Sequence, residues 1–206
     1  MSDGLDAFYL IAPDAAAVAR FAALGVRTIQ LRAKGLTSTQ ARREIIACLD
    51  ATVATDCQLI VNDYWREALS AGADYVHLGQ EDLADADVPT LKAAGVRIGI
   101  STHNERELAI ALAAEPDYVA LGPIFATTTK ATGSAPQGFA RIGEWRRALG
   151  PGMPLIVIGG IGLAHADDLI AAGAQSCAVV SDVLGAVSPD ARAREWLAWS
   201  ARHRAS

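Results

Sequence analysis

Eight short apolar runs punctuate the chain: Phe8–Ala12, Thr28–Arg32, Leu59–Asn62, Tyr75–Leu78, Arg97–Ile100, Tyr118–Gly122, Leu155–Ile158 and Ala178–Ser181. They are too continuously apolar to be half-solvated antiparallel strands and read as strands buried on both faces. Seven of the runs stop at a polar or glycine-rich cluster. The stops are Gln30-Leu31-Arg32-Ala33-Lys34, Asn62-Asp63, Gly79-Gln80-Glu81-Asp82, Ser101-Thr102-His103, Thr127-Thr128-Thr129-Lys130, Gly159-Gly160 and Ser181-Asp182. If the runs are parallel strands of one closed barrel, all seven stops fall on the rim where such barrels keep their chemistry.

Between the runs lie segments with helical spacing, among them Ser38–Ala51, Asn104–Ala113, Gly138–Leu149, His165–Ala172 and Asp190–Arg202. The chain also repeats itself. Ala71-Gly72-Ala73-Asp74-Tyr75-Val76-His77-Leu78-Gly79 is echoed by Ala114-Glu115-Pro116-Asp117-Tyr118-Val119-Ala120-Leu121-Gly122. Ala23-Leu24-Gly25-Val26, Ala94-Gly95-Val96 and Ala172-Gly173-Ala174 share a small-residue step from helix to strand, where Gly permits a left-handed cap. The expected fold is a single (β/α)8 TIM barrel forming one catalytic domain over residues 1–206. An open doubly wound sheet is the rival, but eight βα units in 206 residues leave room for little beyond a compact barrel.

Charge narrows the function classes. Asp and Glu number 23 against 18 Lys and Arg, a formal charge of -5, which argues against a generic nucleic-acid binder. An anionic ligand would need locally placed cations. Met1 to Pro13 carries Asp3 and Asp6 and no basic start before a long apolar stretch, and no run is long enough to span a bilayer. The expectation is a soluble cytoplasmic protein with no nucleic-acid or membrane partner; a homodimer is left open. Cys48, Cys57 and Cys177 are widely spaced and odd in number, which fits reduced, partly buried thiols better than a disulfide framework or a zinc site.

From about Tyr9 to Ser181 the rim residues resemble the thiamine-phosphate synthase family. The motifs are Q-x-R-x-K at Gln30, Arg32 and Lys34; N-D at Asn62 and Asp63; H-L-G-Q-E-D from His77 to Asp82; G-x-S-x-H from Gly99 to His103; G-P-I-F-x-T-x-T-K from Gly122 to Lys130; and I-G-G-I from Ile158 to Ile161. Each fragment alone is weak, but all stand in the family's order at strand ends. The resemblance implies coupling of 4-amino-5-hydroxymethyl-2-methylpyrimidine diphosphate to 4-methyl-5-(2-phosphooxyethyl)thiazole, releasing diphosphate. It also implies that Gln30, Leu31, Arg32, Ala33, Lys34, Asn62, Ser101 and Lys130 bind the pyrimidine diphosphate, and that Asp63 and Asp82 hold Mg2+. Thr127, Thr128, Thr129, Gly159, Gly160, Val180 and Ser181 would then bind the thiazole phosphate, with Arg32, Lys34, Ser101 and Lys130 as the catalytic set.

The residue types suit that chemistry on their own terms. Asp63 and Asp82 follow successive strands, and two carboxylates completed by water and phosphate oxygens fit Mg2+; each alone reads as a loop or cap aspartate. Arg32, Lys34 and Lys130 are separated cations for a diphosphate, although a solvated Lys is the plainer reading of Lys34 by itself. The hydroxyls of Thr127 to Thr129 and the Gly159-Gly160 turn lie where barrels of this kind bind phosphate after strands seven and eight. Asp182 would repel that phosphate and is expected to point away from it. Gln30, Asn62 and Ser101 could hold a heteroaromatic ring and its amino group. His77 reads as a satisfied core histidine and His103 as a loop residue. Tyr64 stands where the family often has a charge, and Ala131 to Gln137 reads as a closing loop. Two other classes stay open, a thiazole tautomerase-like isomerase and a non-catalytic phosphate-binding regulatory barrel.

Overall fold

Residues buried on both sides of a strand must find helices outside and side chains inside, and the closed barrel supplies both. The computed structural model describes residues 5–127 and 135–203. Eight parallel strands close on themselves: β1 Phe8–Ala12, β2 Thr28–Leu31, β3 Gln58–Asn62, β4 Tyr75–Leu78, β5 Arg97–Thr102, β6 Tyr118–Leu121, β7 Leu155–Ile158 and β8 Ser176–Val179, with β8 paired to β1 through Tyr9 and Ala178. The period of two sorts each strand. Phe8, Leu10, Ile29, Leu31, Val76, Leu78, Val119 and Leu121 face the helices, whereas Tyr9, Ile11, Ile60, Tyr75, Tyr118, Ala120, Ile156 and Ala178 form a separate inner core.

The helices are α1 Ala15–Ala23, α2 Ser38–Thr52, α3 Trp65–Ala71, α4 Gln80–Asp85, α5 Val88–Ala93, α6 Glu105–Ala113, α7 Gly138–Leu149, α8 Ala166–Ala171, α9 Ser181–Leu184 and α10 Pro189–His203. Their starts are local chemistry. The Asp14 side chain accepts from Ala17 N, Asn104 from Glu107 N, and Thr37 and Gln40 form a reciprocal capping box before α2. The repeated small-residue step is what the sequence suggests: Gly25, Gly72, Gly95 and Gly173 all have positive φ.

Six strand ends differ from the sequence reading, among them the start of β3 at Gln58 and the stop of β6 at Leu121. β5 runs on to Thr102, because its buried hydroxyl donates to Ala120 O at 2.9 Å and accepts Trp145 Nε1 at 2.9 Å, so a polar residue is satisfied inside the layer. β2 stops at Leu31 and β8 spans Ser176–Val179 instead of Ala178–Ser181. Ser176 enters the strand because its hydroxyl donates to Asp6 O, and Val180 leaves it because its carbonyl accepts Leu184 N to start α9. Among the described residues no helix is long and apolar enough to cross a membrane.

Candidate active site

Strand alternation alone points Gln30, Asn62, His77, Ser101 and Tyr118 toward the barrel axis, since their neighbours Leu31, Val61, Leu78, Ile100 and Val119 pack outward. Above them the C-terminal ends open into a cavity of about 500 Å3, the size expected for a small-molecule site. Its floor is polar and internally bonded. Gln30 Nε2 donates to the Tyr9 hydroxyl at 2.7 Å, which lies 3.0 Å from the Tyr118 hydroxyl. Tyr118 is 2.6 Å from His77 Nδ1, and His77 Nε2 is 2.7 Å from Ser101 Oγ. Burial pushes the Tyr9 and Tyr118 hydroxyls well above the ordinary phenol range, so both keep their protons. Gly99 is what admits the Tyr118 ring, because a Cβ there would fall within it.

Two groups facing this cavity are ready for a ligand. Asn62 is 5 % exposed and its Nδ2 has no hydrogen-bond partner among the described residues, a cost that a ligand acceptor would relieve. The Arg32 guanidinium likewise lines the cavity, and among the described residues only its backbone N–H is engaged, by Ala12 O.

The acidic pair sits beside them. Asp63 follows β3 with φ 65°, a left-handed conformation that Asp tolerates at some cost, and its N–H donates to His77 O at 3.0 Å. Asp82 lies in the first turn of α4, with one carboxylate oxygen 3.0 Å from where a Gly79 Cβ would stand. Lys34 Nζ donates to Asp63 Oδ2 at 2.8 Å. Burial and the neighbouring Asp63 carboxylate raise the Asp82 carboxyl above the ordinary range. Burial works upward on Asp63 too, but the hydrogen bond and charge of Lys34 outweigh it and hold that carboxyl below its usual value. Two facing hard carboxylates, only one of them neutralised by Lys34, fit Mg2+, which takes one or two carboxylates and completes its shell with water and substrate oxygens. Among the described residues no cluster of three or more His, Cys, Asp or Glu side chains offers a metal site made by protein alone.

The opposite wall is backbone. Gly159 and Gly160 have φ 99° and 67°, and Cβ atoms on them would stand 2.6 Å from Pro123 Cα and from Ala126 O. The segment after β6 runs along this turn, with Ile124 N donating to Ile158 O and Phe125 N to Gly159 O. The glycines therefore make room for that segment as well as for a ligand. Ser181 begins α9, where the first N–H groups lack intrahelical acceptors. The Asp182 carboxylate turns to α10, accepting Arg192 Nε at 2.9 Å and Trp196 Nε1 at 2.7 Å; burial raises its carboxyl, and these two partners bring it below the usual range.

Gln30, Arg32, Lys34, Asn62, Asp63, Asp82, Ser101, Thr127, Gly159, Gly160, Val180 and Ser181 thus meet around one cavity. Leu31 and Ala33 do not: their side chains are buried in the outer core, because alternate residues of an extended segment face opposite ways. Thr128, Thr129, Lys130 and residues 131–134 of the expected loop lie outside the described residues. His77 is hydrogen-bonded through both nitrogens as a core histidine would be, yet it reaches Ser101. His103 lines the cavity with Nδ1 2.7 Å from Glu107 Oε2. The Tyr64 hydroxyl binds the Leu36 backbone, tying the segment of Lys34 to that of Asp63. Tyr9, Tyr118, Gln80 and Glu107 are site residues that sequence reasoning passes over. For Gln80 the signal is its place in the stop after β4 and in the H-L-G-Q-E-D motif, and its Nε2 donates to Ser101 O at 2.7 Å.

A family model described as thiamine monophosphate synthase matches residues 8–183. The chain is 49% identical to the thiamine-phosphate synthase of Rhizobium etli over 97% of this chain and 98% of that protein. It is 45% identical to the thiamine-phosphate synthase of Neisseria meningitidis serogroup A over 89% of each. Among solved structures, thiamine phosphate pyrophosphorylase from Pyrococcus furiosus superposes with a TM-score of 0.81 at 24% identity, covering 95% of this chain and 96% of that one, a likeness of fold.

Proposed function

The chain belongs to the thiamine monophosphate synthase family and is a transferase that makes thiamine phosphate; from that premise we propose how its own residues do so. The pyrimidine diphosphate occupies the cavity with its ring over Gln30, Asn62 and Ser101 and its diphosphate toward Arg32 and Lys34. The thiazole phosphate lies on the opposite wall, its phosphate against Thr127, the Gly159-Gly160 turn and Val180-Ser181. Thr128, Thr129 and Lys130 join this set by their place in the sequence. Asp63 and Asp82 would hold Mg2+, which when bound neutralises charge on the diphosphate.

The bond from the pyrimidine methylene to the diphosphate oxygen breaks first, and the leaving group gains negative charge. Arg32, whose guanidinium has no competing partner among the described residues, and Lys34 take up that charge, which stabilises the transition state more than the bound substrate. The aminopyrimidine spreads the positive charge left behind, and the thiazole nitrogen captures it. That nitrogen carries no proton, so no side chain need act as general base. The reading is of one catalytic domain working in the cytoplasm.

The observation that carries this reading is the meeting, in one cavity, of an Arg32 guanidinium and a buried Asn62 Nδ2 that are both without partners among the described residues, and two facing carboxylates. The test is incubation of the purified protein with both substrates and Mg2+. Thiamine phosphate and diphosphate in equal amounts support the reading. Rearranged thiazole without consumption of the pyrimidine would assign an isomerase, and binding without turnover a regulatory barrel.

A further inference from the structure

The hydrogen-bond chain across the cavity floor has a direction, and one end sets it. An amide N–H only donates, so the Tyr9 oxygen accepts from Gln30 Nε2. Among the described residues the Tyr9 proton then has one partner, the Tyr118 oxygen at 3.0 Å. Tyr118, already accepting, donates to His77 Nδ1 at 2.6 Å. A neutral imidazole that accepts at Nδ1 carries its proton on Nε2, which donates to Ser101 Oγ at 2.7 Å. The Ser101 proton is left to point elsewhere, into the cavity that Ser101 lines. At the other end the Gln30 carbonyl oxygen is left as an acceptor.

We propose that Tyr9, Tyr118 and His77 are positioning residues that carry this direction across the barrel, so that Ser101 meets the substrate as a hydrogen-bond donor and Gln30 meets it as an acceptor. The ligand chemistry this selects is a ring nitrogen that accepts from Ser101 and an amino group that donates to Gln30, and an aminopyrimidine has both. The identity of the ligand rests on the function proposed above; the direction of the chain is a property of the protein alone. An aliphatic residue in place of Tyr9 or Tyr118 in the inner core would interrupt the relay and leave a buried polar group unpaired.

The direction is read by 15N NMR of ligand-free protein labelled at histidine, with His77 assigned by its loss in His77→Leu. The expected spectrum has His77 Nδ1 unprotonated and Nε2 protonated, and Tyr118→Phe releases the ring to a mixture of both tautomers. A proton on Nδ1 in the unsubstituted protein, or an unchanged tautomer in Tyr118→Phe, would overturn the proposal. Steady-state kinetics reads the consequence. Tyr118→Phe and His77→Leu should each raise KM for the pyrimidine diphosphate about tenfold, the worth of one hydrogen bond, with the thiazole phosphate KM nearly constant. His77→Gln, which keeps one donor and one acceptor, should recover most of that loss. A folded His77→Leu with unchanged pyrimidine KM, or a His77→Gln no better than His77→Leu, sinks the proposal. If the unsubstituted protein turns over neither substrate, the functional reading fails and the NMR result still decides the direction.

Discussion

Lys34 Nζ stands 2.8 Å from Asp63 Oδ2, and the Asp82 carboxyl faces the same Asp63 from α4, so one carboxylate is shared between a cation and a second acid. Lys34 occupies the coordination that a metal at Asp63 would need. Lys34→Met should therefore tighten Mg2+ binding to the free protein while weakening the pyrimidine diphosphate, as titration calorimetry of each ligand would report. Weaker Mg2+ binding in the variant would show that Lys34 orders the acidic pair instead of competing for it.

The Gly159-Gly160 turn couples the phosphate wall to the segment after β6. At φ 67° a β-branched residue at position 160 is strained by about 1–2 kcal/mol, and its Cβ would press on Ala126 O, next to Thr127. Gly160→Val should weaken thiazole phosphate binding and leave the pyrimidine diphosphate nearly unaffected. Separate titrations that show equal weakening of both in a folded variant would contradict the division of the cavity.

Gly99 fails differently, because its missing side chain is filled by the Tyr118 ring. Gly99→Ala should cost about 1–3 kcal/mol of stability by overpacking. Thermal unfolding within error of the unsubstituted protein would mean that the inner core yields to a methyl group.

The barrel is legible in the sequence because a strand buried on both faces leaves an unbroken apolar run, and eight such runs at helix-length intervals admit few folds. The ends are less legible. Thr102 lies in an expected stop and Ser176 ahead of the expected eighth run, yet both are inside strands, because their hydroxyls find the backbone carbonyls of Ala120 and Asp6, which only the folded layer brings near. The rim stands out because polar residues interrupt apolar runs there. Tyr9 and Tyr118 do not interrupt anything, so mid-strand they read as core and their role in the floor is invisible until the barrel closes. Leu31 and Ala33 show the reverse: a contiguous motif includes residues whose side chains face away from the site.

Burial holds all three thiols in the protonated form, pushing Cys48, Cys57 and Cys177 up to about 12. A thiol raised in the folded state binds its proton where the unfolded chain has lost it. Its contribution is complete below the unfolded value of about 8.5 and is lost as pH rises toward 12. Denaturant titrations should show stability falling steadily above about pH 9, with a shallower fall in Cys177→Ala at its own lower baseline. In the native protein Cys48 and Cys177, both 0 % exposed, should react with iodoacetamide only as fast as the protein opens. Rapid labelling of either would show that the core is not closed around it.

On the proposed function Asp63 and Asp82 act together on one cation beside the cationic end of the cavity, and the rate of thiamine phosphate formation as a function of Mg2+ reads this. Asp82→Asn keeps the size of the side chain and removes the second charge, on a rim helix where the fold does not depend on it. This variant should stay folded, lose about two orders of magnitude in turnover and need far more Mg2+ to reach half its maximal rate. A variant with the same Mg2+ dependence as the unsubstituted protein would contradict it.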